Sequence, residues 1–127
     1  MQVPSRKIAE MYGVVSASKI IGEAVVNRQN EDLGKIHELV IDAKEGRVAY
    51  AVLSFGGFMS MGNKLFALPW KAFEFAETEN KLILNVDKEK LQAAPGFDKD
   101  AKWPDFADRT LGKGIYDYYG YDPYWKA

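Results

Sequence analysis

Apolar and polar positions along the chain alternate in short bursts separated by glycine-, proline- or asparagine-rich breaks. That is the pattern of a small β protein. Residues 1–15 show weak periodicity and are expected to form a partly ordered lead-in. Ser16 or Ser18 is placed to cap a single helical turn ending at Gly22. Ala24-Val25-Val26 is a short β-branched run, followed by a polar loop from Asn27 to Asp32 that closes at Gly34. Ile36 to Ile41 predicts a second strand. Its alternation slips between Ile36 and Leu39, which predicts a bulge near His37-Glu38.

Asp42-Ala43-Lys44-Glu45-Gly46 is a hairpin signal, and Val48 to Phe55 follows as the strongest strand. Both faces of that strand are largely apolar: Val48, Tyr50 and Val52 on one, Ala49, Ala51, Leu53 and Phe55 on the other. A strand apolar on both sides belongs in a closed or covered sheet. Gly56 to Asn63 predicts a long loop and Leu65 to Leu68 a fourth strand, stopped by Pro69. Phe73 to Ala76 and Lys81 to Val86 form a last hairpin around Glu77-Thr78-Glu79-Asn80. Asp87 caps a short helix from Lys88 to Ala94, halted by Pro95-Gly96. About six short antiparallel strands and one terminal helix predict a mainly β fold, a small β-barrel or sandwich.

The ordered elements carry a family resemblance. Ile21-Gly22, Leu33-Gly34-Lys35 before the second strand, and Ile41-Asp42 at its end, leading into the Gly46 hairpin, resemble the first half of a PRC-barrel domain. Asn63-Lys64-Leu65-Phe66-Ala67-Leu68-Pro69-Trp70 is similar to that family's Lys-x-x-x-x-Pro-Trp element. The resemblance spans residues 16–95, and residues 96–127 resemble the aromatic extension of stand-alone bacterial members. It implies a PRC-like β-barrel over 16–95 that works as an interaction module, as in the photosynthetic reaction-centre H subunit and the ribosome maturation factor RimM. The H subunit's membrane helix and the ribosome factor's N-terminal barrel have no counterpart in this sequence, so neither protein's specific task is implied.

Composition changes the picture at one place. Of seventeen aromatic residues in 127, nine fall in residues 97–127. Trp103, Phe106, Tyr116, Tyr118, Tyr119, Tyr121, Tyr124 and Trp125 are amphipathic or apolar rings set among turn formers. Such rings either pack across the barrel or meet a partner, in cis or swapped to a second subunit. Phe58, Met59 and Met61 in the glycine loop, together with Trp70, complete the candidate contact residues. Trp70 fits a core position equally well.

Charge and chemistry narrow the function classes. Seventeen basic and eighteen acidic residues leave a net charge of −1, and residues 97–127 hold five bases against six aspartates. That balance argues against a nucleic-acid partner. No cysteine is present, which removes thiolate chemistry and fits a reducing, cytoplasmic setting. No apolar run approaches the ~18–20 residues of a membrane helix, and the first residues lack a signal-peptide core. His37 is the only histidine and lacks a nucleophile elbow to serve, so it is expected to be a surface residue on the bulged strand. Gly57 and Gly62 have the spacing of a phosphate loop, but Asn63 stands where lysine is required. Asp98-Lys99-Asp100 begins like a calcium loop and then meets Lys102 and Trp103 instead of oxygen ligands. The expectation is therefore a non-catalytic interaction or structural module without metal or cofactor, a homo-oligomer with a dimer favoured, docking an unidentified protein. The alternative is a small-molecule or glycan binder using the aromatic rings of the extension.

Overall fold

A computed structural model of the chain describes residues 15–55, 64–76 and 81–126. The strands are β1 (Ala24–Val26), β2 (Asp32–Asp42), β3 (Arg47–Ser54), β4 (Lys64–Leu68), β5 (Phe73–Ala76), β6 (Lys81–Leu84) and β7 (Phe97–Asp98). The helices are α1 (Ala17–Ile20), α2 (Lys88–Gln92) and α3 (Arg109–Tyr119), with a 3-10 turn at Trp70–Ala72. The six strands expected from the sequence are all present. β7 and α3 come in addition, both from the aromatic extension.

The strands form one sheet in the order β5-β6-β1-β2-β3-β4-β7. Two expectations are corrected here. The sheet is not closed into a barrel, and it is mixed, because β1 runs parallel to β6 through Val25↔Leu82 and Val26↔Ile83. The cause lies at Pro69, which has no N–H to continue β4. The 3-10 turn after it redirects the chain, and the β5–β6 hairpin joins the sheet through β6 on β1 instead of β5 on β4. The free edge of β4 is taken by β7, with Lys64↔Asp98 and Leu65↔Phe97. β5 is left at the opposite edge.

Two bulges shape the β2–β3 pair. Ile36 pairs with Leu53 and Glu38 with Val52, so His37 is the extra residue, where the sequence places it. Val40 pairs with Tyr50 and Ile41 with Val48, which makes Ala49 an extra residue on β3. β2 begins at Asp32, earlier than expected, because the loop before it is tied by the buried Asn27. The Asn27 carboxamide oxygen accepts from the N–H groups of Gln29 (3.1 Å) and Glu31 (2.9 Å). Gly34 then meets a close approach: at its φ of +123°, a Cβ would lie 2.0 Å from the Ser54 carbonyl oxygen. Only glycine fits there.

The main core lies on one face of the sheet. Val25, Leu33, Ile36, Leu53, Phe55, Phe66, Leu68, Leu82 and Leu84 are all buried in it, closed by Ile20 of α1 and Leu91 of α2. Asp87 stands at the N-terminus of α2 as expected but makes no side-chain cap bond, and neither does Ser16 before α1. Helix α3 covers the second face. Its Asp108 carboxylate accepts from the N–H groups of Thr110 (2.9 Å) and Leu111 (3.4 Å), a true side-chain cap. At the other end Gly120 takes a φ of +82°, and Tyr121 N–H returns to the Tyr116 carbonyl. That is the Schellman ending that favours glycine.

Candidate interaction surface

The aromatic extension is organised around Tyr50. Bulging at Ala49 turns both Ala49 and Tyr50 toward the second face, where they join Ala67, Tyr116 and Tyr124 in a separate cluster. The Tyr50 ring is fully buried, with centroids of Phe106 at 5.1 Å, Tyr116 at 5.7 Å and Tyr124 at 6.4 Å. These are tilted or edge-on arrangements, the ones that ring quadrupoles favour. The Tyr116 hydroxyl donates to the carbonyl of the bulged Ala49 at 2.5 Å. Gly112 brings α3 close: a Cβ there would sit 2.5 Å from the Tyr50 oxygen and 2.9 Å from the Trp125 ring.

Polar bonds pin the end of the chain to the β2–β3 turn. The Tyr124 hydroxyl donates to the Asp42 carboxylate, and the Arg47 guanidinium donates to the Tyr124 carbonyl. Asp42 also accepts from Lys44 N–H (3.0 Å) and Glu45 N–H (2.9 Å), so one carboxylate organises both the turn and the tail. The Tyr124 bond, followed by the turn N–H groups, holds Asp42 below its usual carboxylate range. Burial pushes the Tyr50 phenol up to about 12. Burial, reinforced by the Asp42 bond, pushes Tyr124 up to about 12 as well. Tyr116 and Tyr119 are also raised by burial.

The remaining sequence-predicted residues divide into groups. Trp103 packs on Phe97 (5.2 Å) and Phe106 (6.5 Å), and the His37 ring lies 6.0 Å away. His37 is thus half-buried on its bulge beside the extension. Tyr118 touches Tyr119 at 4.9 Å, and its hydroxyl donates to the Lys90 carbonyl (2.6 Å), which ties α3 to α2. Tyr119 enters the main core and Tyr121 packs against both clusters. Trp125 lies 5.1 Å from Tyr124 and carries the Arg109 guanidinium 4.3 Å over its ring. Trp70 stands apart, stacked on Phe73 at 5.9 Å against the main core. Phe58, Met59 and Met61 lie outside the described residues.

Sequence reasoning missed Tyr50, Gly112, Asp42 and Arg109 as parts of this assembly. A tyrosine in the middle of a strand apolar on both faces was the available signal for the first. Beside the assembly is a cleft of about 430 Å³ between the β2–β3 turn and the start of α3. Val40, Ile41, Ala49 and Phe106 form its apolar wall, and Asp42, Lys44 and Arg109 supply its charges. Among the described residues no group of His, Asp or Glu side chains is placed to hold a metal ion. None of the described helices is long and apolar enough to cross a membrane.

A family model described as PRC-barrel domain matches residues 13–91, more than half of the 127-residue chain. The match agrees with the resemblance drawn from residues 16–95 and stops before α3. No curated protein matches the chain.

Two experiments read this packing. Gly112→Ala is expected to destabilise the protein, because Tyr50 is walled in by rings and cannot yield to the new methyl. Gly114→Ala, with nothing within 4 Å, is expected to stabilise it by about 0.5–1 kcal/mol through helix propensity. Denaturant unfolding of both variants should therefore give opposite signs. In an alkaline titration, Tyr50 and Tyr124 should stay protonated past the ordinary phenol value of 10.0 toward about 12. Their folded pKa values exceed the unfolded ones, so their stabilisation is complete below pH 10 and is lost as pH rises through 12. Phenolate absorbance and circular dichroism should change together in that window; early, fully reversible ionisation of these two rings in the folded protein would contradict the packing.

Proposed function

The chain belongs to the PRC-barrel domain family, and from that premise we propose that it is a non-catalytic protein-interaction module that self-associates and docks a macromolecular partner. The family implies an interaction module in general terms; the self-association and the docking role are the finer reading. What carries the reading is the direction of the rings. Tyr116, Tyr119 and Tyr124 are spent inside the fold, buried at 1%, 9% and 9% exposure. A binder of glycans or other small molecules through these rings needs faces open to a pocket. Phe106 and Tyr124 reach the cleft only at its wall.

With the extension folded onto its own sheet, the molecule offers a rigid two-sided platform. β5 is bonded to β6 on one side and to no described strand on the other. An edge strand of this kind is a template for pairing with a second chain. Ile41, 56% exposed, adds apolar surface near the end of β2. These features support a protein partner and a second copy of the chain over a soluble substrate. The cytoplasm, where thiol-free proteins need no oxidising environment, is the compartment that fits this role.

Light scattering tests the self-association. The expected mass at high micromolar concentration is about twice the 14.3 kDa of one chain. A clean 14.3 kDa species at that concentration would overturn it.

A further inference from the structure

Arg109 is held in an unusual state for a surface arginine. Its guanidinium lies 4.3 Å over the Trp125 ring and 5.8 Å over the Tyr124 ring, so its position is fixed by two faces. Yet among the described residues it donates no hydrogen bond and forms no ion pair. Stacking uses the flat face of a guanidinium and leaves its five edge donors free. A cation that is positioned while its edge donors are free is pre-organised for an acceptor.

The surroundings specify the acceptor. Lys44, on the facing turn, also forms no ion pair among the described residues. Asp42 is the one carboxylate in the wall; one of its oxygens accepts from the Lys44 and Glu45 N–H groups and the other from the Tyr124 hydroxyl. The Arg109 charge acts on it from a distance, but no hydrogen bond or ion pair joins the two, so the Arg109 donors are not committed to it. The same cleft carries the apolar wall, with Ile41 at 56% exposure as its most open side chain. A volume of about 430 Å³ holds a few side chains and no folded domain.

We infer that this cleft docks an acidic–apolar linear segment of a partner protein, with a carboxylate forked on Arg109, Lys44 beside it, and a neighbouring aliphatic side chain on Ile41 and Phe106. Carboxylate fits better than a phosphate-rich polymer. Asp105 and Asp108 stand on the adjoining loop, and a polyanion would face them while a single carboxylate need not. Planar fork recognition, with two parallel N–H to oxygen bonds, is what a stacked guanidinium offers. This inference rests on the interaction-module reading and adds the chemistry of the partner.

The test uses the full chain, nitrogen-15 labelled, titrated with the probe peptide acetyl-Leu-Glu-Leu-Glu-Leu-amide and with its glutamine analogue. The expected result is saturable movement of the Arg109 Nε–H and Trp125 indole signals together with the Ile41 amide. The glutamine peptide should bind about ten-fold more weakly, since the charge-assisted fork is lost. Arg109→Lys keeps the charge and loses the fork, and should also weaken binding about ten-fold. Lys44→Gln sits in an exposed turn and should weaken binding several-fold with an unchanged melting temperature, so the result does not depend on how Arg109 variants fold. Equal binding of the two peptides, no saturation by the glutamate peptide at millimolar concentration, or tighter binding of inorganic phosphate would each overturn the inference. If the chain dimerises but the glutamate peptide fails, only the cleft assignment falls. If the peptide binds as described to a monomer, the self-association falls instead.

Discussion

Tyr50 projects from the middle of β3 onto the face of the sheet opposite the main core, and its ring is fully buried there. A sheet of seven strands cannot bury that ring by itself; another layer has to be laid over it. Residues after Pro95 supply the layer. Phe106 and Tyr124 close on Tyr50 from two directions, and Tyr116 meets it from α3. Each such ring pair adds ~0.5–1.5 kcal/mol beyond the area it removes from water. The bulge at Ala49 makes the contact possible twice over, by aiming Tyr50 outward and by offering its carbonyl to the Tyr116 hydroxyl.

The same constraint makes the extension a second layer on the open sheet. Curling the sheet further would enclose only the main-core face, so the second face of β3 needs a separate cover, and α3 with the following turn supplies it. β7 takes the edge of β4 on the way to α3, and Phe97 in it bridges toward Trp103 and Phe106. Extension and sheet are one packed unit, tied by Tyr119 in the main core and Tyr118 on α2. The family match over residues 13–91 covers β1 to β6 and leaves β7 and this second layer outside it.

What was legible in the sequence was local. The Asp42 turn with Gly46 at φ +70°, the His37 bulge, the stop at Pro69 and the six strands follow from turn chemistry and alternation. The apolar faces of Val48 to Phe55 also said correctly that the sheet is covered on both sides. Strand partners were not legible, because parallel pairing of β1 with β6 is decided by long-range packing that no local pattern carries. Helix α3 was hidden by its own composition. Gly112, Gly114, Ile115 and the three tyrosines Tyr116, Tyr118 and Tyr119 have poor helix propensity, and the rings invite a contact reading. The signals that mark it are quieter: Asp108 as cap, Gly120 as terminator, and Gly112, Tyr116 and Tyr119 on one face. Of the candidate contact residues, the deepest rings are structural first, and the surface they leave open is the cleft beside Arg109.

Residues 97–126 are a layer of the fold and not an appendage to it. Thermal unfolding of a chain truncated after Gly96 tests this most directly. A large loss of melting temperature or an insoluble product is expected, since Tyr50 and Ala67 would be stripped of their cover. An unchanged melting temperature and an unchanged oligomeric state would contradict it.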